Sequence, residues 1–219
     1  MHTLDRMKTN AVTDASSQRK IHNIPWPCVD EAHGVFSFSL YERRACQSLI
    51  TTARRRNAWF PAEVSITEAD GQTRDIADTD TRAAAILDAR RAQYLYRSFE
   101  KLVEKTVVGL VERTWGVRLD QLEGTQLIRY RPGGHYLAHT DSSTQGEYAR
   151  RYFTVVCYLN DDFTGGRTSF PSLNFSAQPQ AGKAIIFPSK YVHCAEPVKK
   201  GEKYVLITWL CGQAPTLWM

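Results

Sequence analysis

The sequence predicts an α+β fold, with helices in the N-terminal half and a C-terminal half of short strands closed as a sandwich or small barrel. Two patterns and one bound lead there. Between residues 83 and 115, Leu95, Phe99, Leu102, Val103, Leu110 and Val111 recur at three- and four-residue intervals, the stripe of an amphipathic helix. After residue 120 come short apolar runs, 126–130, 153–159, 184–187 and 204–210, broken by Gly, Pro, Asn and Asp. With 219 residues, 42% apolar and 23% charged, the chain is of ordinary globular composition and large enough to bury a core without disulfides.

Residues 1–25 are polar and aperiodic, which predicts a disordered tail, with order beginning near Pro25-Trp26-Pro27 and a single domain over 26–219. Ser39-Leu40-Tyr41-Glu42 has capping-box spacing, and Leu40, Cys46, Leu49, Ile50 and Ala53 follow, so a helix is expected over 40–56. Residues 61–82 are polar and turn-rich, with Asp70-Gly71, and read as a hairpin or a mobile loop. A break near Ala89 would split 83–115 into two helices, and Gly116 is placed to stop the second. Helical support is thus assigned to 36–116 and the strand core to about 120–211.

Lys plus Arg number 28 and Asp plus Glu 23, a net charge of +5 that permits an acidic substrate without demanding nucleic acid. No stretch approaches the roughly 18 apolar residues of a membrane span, and residues 1–20 lack the apolar core of a signal peptide. The five cysteines are odd in number and contain no CxxC, which argues against a disulfide framework or a cysteine zinc site and leads to the expectation of a reducing cytoplasm.

Three side chains carry the chemistry. His139-Thr140-Asp141 is an HxD pair, and on a strand residues i and i+2 share a face, so both could reach one ion. His193 lies far along the chain and must come from another strand. Two imidazoles and a carboxylate with open positions form the facial triad of non-haem Fe(II) oxygenases. A lone HxD is weak, since most such pairs are surface residues. His2, His22, His33 and His135 have no such context.

The surroundings change that weighting. Tyr130-Arg131-Pro132-Gly133-Gly134-His135-Tyr136 runs into His139; then come Tyr158-Leu159-Asn160-Asp161, Gly165-Gly166-Arg167-Thr168-Ser169-Phe170-Pro171, Phe187-Pro188-Ser189 before His193, and Lys203 ahead of Trp209. In this order and spacing the chain resembles the prolyl 4-hydroxylase branch of the 2-oxoglutarate/Fe(II) dioxygenases, strongly over about 125–211 and in general layout over 36–115. The resemblance implies a double-stranded β-helix (jelly-roll, cupin-like) core. It implies Fe(II), 2-oxoglutarate and O2 as cofactors, with ascorbate a candidate reductant. His139, Asp141 and His193 match the iron ligands, Lys203 the basic residue that pairs with the C5 carboxylate of 2-oxoglutarate, Tyr158 a tyrosine hydrogen-bonding that carboxylate, and Tyr130 a tyrosine near the metal face. Arg151, three before Thr154, matches a substrate-facing arginine; Arg82 is a weaker substrate candidate. Retention of Asp141 argues for hydroxylation, because halogenating relatives replace that carboxylate with a small residue.

Gly133-Gly134 and Gly165-Gly166 read as turns with positive φ, and Arg54-Arg55-Arg56 and Arg90-Arg91 as solvated helix faces. The segments 61–82 and 142–150 read as a lid over the substrate. The expected activity is hydroxylation of a prolyl residue, a free amino acid or an amino-acid-derived small molecule, with release of succinate and CO2. Two alternatives stand beside it. A non-oxygenase metal barrel has no need of Lys203 and Tyr158 behind the metal. A nucleic-acid oxidative demethylase of the AlkB type carries arginines along its last strand, where this chain reads Lys203-Tyr-Val-Leu-Ile-Thr-Trp209. The partner expected is a small-molecule or peptidyl substrate, with neither nucleic acid nor membrane; the oligomeric state is not readable.

Overall fold

The structure, a computed structural model, describes residues 28–67, 73–144 and 146–213; the expected tail 1–25 lies outside the described residues. In chain order the elements are β1 (Val29–Ala32), β2 (Val35–Ser39), α1 (Arg43–Arg56), β3 (Trp59–Pro61), β4 (Val64–Thr67), β5 (Thr73–Ile76), β6 (Ala85–Leu87) and α2 (Ala89–Val103). One π-helical turn (Glu104–Val108) then leads into α3 (Gly109–Trp115), followed by β7 (Arg118–Tyr130), β8 (Tyr136–His139), β9 (Arg151–Tyr158), β10 (Thr164–Gly165), β11 (Thr168–Phe170) and β12 (Phe175–Ala177). The chain closes with β13 (Lys183–Pro188), β14 (His193–Ala195), β15 (Val198–Lys200) and β16 (Lys203–Gln213).

Strand parity builds two cores. Along β9, Val155 and Cys157 point to one face of an eight-stranded sheet of order β1-β2-β13-β9-β16-β7-β6-β3, and Val156 and Tyr158 to the other. The first face packs on the helices, where Cys46, Ile50 and Ala53 of α1 and Leu95, Phe99 and Val103 of α2 are buried. The second encloses Ile128, Tyr130, Ile185, Phe187 and Val205 together with Phe170 and Ala177 of a smaller antiparallel sheet, order β12-β11-β14-β8. Two opposed antiparallel sheets with helices on the outer face of the larger one form a double-stranded β-helix of the jelly-roll type. The four apolar runs lie in β7, β9, β13 and β16, the long buried strands of the large sheet. No helix among the described residues is long and apolar enough to cross a membrane.

The structure corrects the sequence reading at four places. The segment 36–116 is not purely helical: β2 pairs with β13, from Lys183↔Ser39 to Ile186↔Phe36, and becomes part of the sheet. Its run Val35-Phe36-Ser37-Phe38 is too short to be told from a helix by period alone. The capping box does not form, since Ser39 ends β2 and the backbone N–H groups of Leu40 and Tyr41 both donate to Gly182 O, which delays α1 until Arg43. The break near Ala89 is the start of α2, capped by Asp88, whose side chain accepts from Arg90 N–H; the preceding Ala85–Leu87 is strand, paired with β3 and β7. The real interruption of the helical stripe is the π turn, which keeps Val107, Leu110 and Val111 buried. Gly116 does end α3, at φ +64°. Of the 61–82 alternatives the hairpin is present as β4–β5, with Asp70-Gly71 outside the described residues.

Gly182 sets the join between β13 and the entry to α1. At φ +86° it occupies a conformation that favours glycine, and an added Cβ would overlap the Tyr41 carbonyl oxygen. Gly182→Ala is expected to destabilise the fold by about 2–4 kcal/mol in chemical denaturation. A loss below about 0.5 kcal/mol would show that this join yields freely.

Candidate metal centre

His139 is the last residue of β8 and His193 the first of β14. The two strands are antiparallel with His193 directly opposite His139, so the imidazoles lie side by side, ring centroids 4.3 Å apart. Each ring is fixed from behind. His139 Nδ1 lies 2.7 Å from Leu137 O and His193 Nδ1 2.9 Å from Tyr191 O, which places the proton on Nδ1 and turns the Nε2 lone pair forward. Tyr136 stacks on His139 at 3.5 Å between centroids, and Phe187 meets His193 edge-on at 4.7 Å.

Asp141 lies two residues past the end of β8, so strand parity alone does not aim it. Its backbone N–H donates to Ser189 O at 2.9 Å, and Arg151 Nη1 donates to its carbonyl at 3.3 Å. The Thr154 hydroxyl donates to Asp141 Oδ2 at 2.7 Å and lies 2.9 Å from the Ser189 hydroxyl. The carboxylate oxygens thereby sit 3.5 Å from His139 Nε2 and 3.4 Å from His193 Nε2, and one ligand atom from each residue falls within 4.8 Å of the others. Burial opposes ionisation of Asp141, but the two imidazoles and Thr154 outweigh it and hold the carboxyl below the usual range. Burial pushes His193 down, toward the neutral imidazole that a metal requires. Two imidazoles and one braced carboxylate fit a divalent first-row metal with open positions.

Lys203 begins β16 opposite Tyr130 of β7 and is 2% exposed. Its ammonium donates to Gly166 O at 2.8 Å and lies over the rings of Tyr130 (4.9 Å) and Tyr158 (5.6 Å). Among the described residues no carboxylate forms an ion pair with it, and burial lowers its pKa to about 7. A buried ammonium facing two aromatic rings is a site prepared for an anion. The Tyr158 hydroxyl donates to Thr168 Oγ1 at 2.7 Å, and burial raises both tyrosine pKa values. Gly165 and Gly166 take positive φ as expected, and a side chain at 166 would press on Val198 and the Lys203 stem. Gly133 also has positive φ, whereas Gly134 does not: it is required because a Cβ there would come within 2.7 Å of Arg131 O and 2.8 Å of Ala83 O.

Neither substrate candidate is a solvated charge. The Arg151 guanidinium pairs with Glu123 and is held between the rings of Tyr148 (4.0 Å) and Trp209 (3.9 Å). Arg82 donates to Glu63 O and to Gln126 Oε1 and lies 4.7 Å over the Tyr136 ring. Arg54, Arg55, Arg56, Arg90 and Arg91 are exposed as expected, Arg54 with side-chain bonds to Tyr204 and Glu202. His135 braces a loop through Gly133 O and Asp80 O. Thr154 and Ser189 went unassigned in the sequence. The signal for Thr154 was a hydroxyl interrupting the apolar run 153–156, a polar group that burial obliges to find a partner.

Residues 125–211 match the profile of the 2OG-Fe(II) oxygenase superfamily. A protein of Acanthamoeba polyphaga mimivirus assigned to the prolyl 4-hydroxylases is 27% identical over 151 residues, 60% of this chain and 62% of that one. The chain spans less than two thirds of the length of the curated relatives it matches first. Among solved structures, a Pseudomonas putida prolyl-4-hydroxylase superposes with a TM-score of 0.60 at 20% identity, covering 83% of this chain and 94% of that one. A Trichoplax adhaerens prolyl hydroxylase, in complex with a hypoxia inducible factor peptide fragment, gives 0.62 at 16% identity over 82% and 84%. Residues 125–211 thus match the 2-oxoglutarate/Fe(II) oxygenase superfamily, and the jelly roll that carries them is the fold of the solved prolyl hydroxylases.

Proposed function

We propose that this chain is an Fe(II)- and 2-oxoglutarate-dependent hydroxylase of a prolyl residue, free amino acid or amino-acid-derived small molecule. The observation that carries the reading is the pairing of two features contributed by the two facing sheets: the His139–Asp141–His193 cluster, and a buried Lys203 that forms no ion pair among the described residues. In this family Fe(II), 2-oxoglutarate and O2 together supply the oxidation, 2-oxoglutarate leaving as succinate and CO2.

The chain's own residues prepare that chemistry. His139 and His193 offer lone pairs whose direction is set by backbone carbonyls behind each ring. Thr154 and Ser189 hold the Asp141 carboxylate in place. Lys203, with Tyr158 and Tyr130, binds the distal carboxylate of 2-oxoglutarate where water is excluded. The Ser65 hydroxyl of the β4–β5 hairpin lies 3.3 Å from the hydroxyl of Tyr148, which supports a lid role for this hairpin over bound substrate. A hydrolytic metal barrel would have no use for a buried ammonium behind its metal. The five free thiols, three of them buried, suit a reducing compartment such as the cytoplasm.

Purified protein should bind one Fe(II) per chain and convert 2-oxoglutarate to succinate, and His139→Ala or His193→Ala should abolish both. Undiminished turnover in either variant would overturn the ligand assignment. Lys203→Ala should weaken 2-oxoglutarate by roughly 10- to 150-fold, the equivalent of a charge-assisted hydrogen bond of about 1.5–3 kcal/mol. Binding requires the charged ammonium, and the free site has a pKa of about 7. Below that pH the group costs no affinity; above it, 2-oxoglutarate binding must take up a proton, and affinity falls by up to about tenfold per pH unit. Calorimetry at pH 8 in buffers of different ionisation enthalpy should register this uptake in the wild type and not in Lys203→Arg, which stays charged. Equal proton uptake in both proteins would place the titrating group elsewhere.

A further inference from the structure

Arg82 is a buried cation beside the metal cluster that the roles above leave without a counter-charge. It is 9% exposed, and its Nε is enclosed with no hydrogen-bond partner. Its two bonded groups face neutral acceptors, Glu63 O at 2.8 Å and Gln126 Oε1 at 3.2 Å. No acidic side chain among the described residues pairs with it. Neutral acceptors bond its two terminal nitrogens but leave the Nε–H and the charge unmatched, and a buried charge without a counter-ion is costly.

Its place is beside the proposed metal ligand His139. The guanidinium lies over one face of Tyr136, whose ring stacks on His139, so a single aromatic ring separates Arg82 from a proposed metal ligand. It also lies close enough to the buried Tyr130 to oppose the burial that raises that phenol's pKa. The Lys203 ammonium lies 4.9 Å from the centroid of the same Tyr130 ring.

The charges of the loaded site sharpen the point. Fe(II) with Asp141 leaves one positive charge. The two carboxylates of 2-oxoglutarate with Lys203 leave one negative charge, and these cancel. Arg151 is neutralised by Glu123. Glu196 adds a negative charge near Lys203, whereas no acidic side chain among the described residues pairs with Arg82.

We propose that Arg82 receives a free carboxylate of the substrate, which makes the substrate a free amino acid or another small carboxylic acid rather than an internal residue of a peptide. This deepens the hydroxylase reading and rests on it. The oxidised C–H bond must lie at the metal, and in an amino acid the carboxylate is only a few bonds away, within reach of the Tyr136 side. Arg151 is less suited to this role, because Glu123 already holds its charge.

The test compares matched pairs, L-proline and L-leucine against L-prolinamide and L-leucinamide, with an internal-proline peptide (acetyl-Gly-Pro-Gly-amide) as a third class. Calorimetric binding to the protein loaded with Mn(II) and 2-oxoglutarate is read beside succinate formation with Fe(II). The expected result is that the better-bound acid exceeds its amide by roughly 10- to 150-fold, that Arg82→Gln brings that ratio close to one, and that Arg82→Lys retains part of it. Thermal unfolding of both variants separates a lost preference from a lost fold; should Arg82→Gln fail to fold, the Arg82→Lys ratio and the wild-type panel decide. Amides or the capped peptide binding as well as the acids, or an acid preference undiminished in the folded Arg82 variants, would overturn the proposal. Because binding is measured without turnover, absence of succinate in the wild type counts against the hydroxylase reading and not against the Arg82 carboxylate site.

Discussion

The centre depends on one strand pairing, β14 against β8 with His193 opposite His139. Side chains directly opposite each other across an antiparallel pair are close neighbours, and a one-residue slip would send one imidazole to the other face of the small sheet. The pairing is held in turn by Leu137 and Tyr191, whose carbonyls fix the rings, and by β11, which pairs with the far side of β14. The third group comes from outside the sheet. Asp141 is tied to Ser189 through its backbone and to Thr154 through its side chain, so the large sheet sets the carboxylate against histidines presented by the small one. The cluster is therefore a property of the closed β-helix.

A second constraint is electrostatic. The pocket between the sheets buries Lys203 and Arg82 with neutral or aromatic partners, and Arg151 with an acidic one. Groups so placed weaken a fold that has no ligand to offer them, since desolvation of a charge is repaid only by a counter-charge and full hydrogen bonding. Their burial around one site argues for ligands that bring negative charge. The aromatic rings of Tyr130, Tyr136, Tyr158 and Trp209 hold these cations without neutralising them, through the electron-rich faces of the rings.

Legibility followed range. Gly116 stops a helix because its own backbone takes positive φ, a local fact that one residue declares. The runs in β7, β9, β13 and β16 were readable because buried central strands are continuously apolar. The capping box at Ser39 misled because its competitor was distant: Gly182, more than a hundred residues later, binds the N–H groups of Leu40 and Tyr41. The short strands β2 and β6 misled because three to five residues carry no decisive period, and only their partners on β13 and β7 give them a state.

The sequence by itself determined the inventory and its order: an HxD pair, a later histidine, a lysine ahead of an apolar strand, and glycines where the chain must turn. Those are decided by residue type and local spacing, and they were sufficient to indicate the family. Tertiary structure alone decided which partner each group meets. Thr154 became a brace for Asp141, Arg151 a paired and stacked cation, and Arg82 a buried cation without a carboxylate. Hydrogen bonds and ion pairs act over a few ångströms, and residues up to dozens of positions apart come within that reach only when two sheets close on each other.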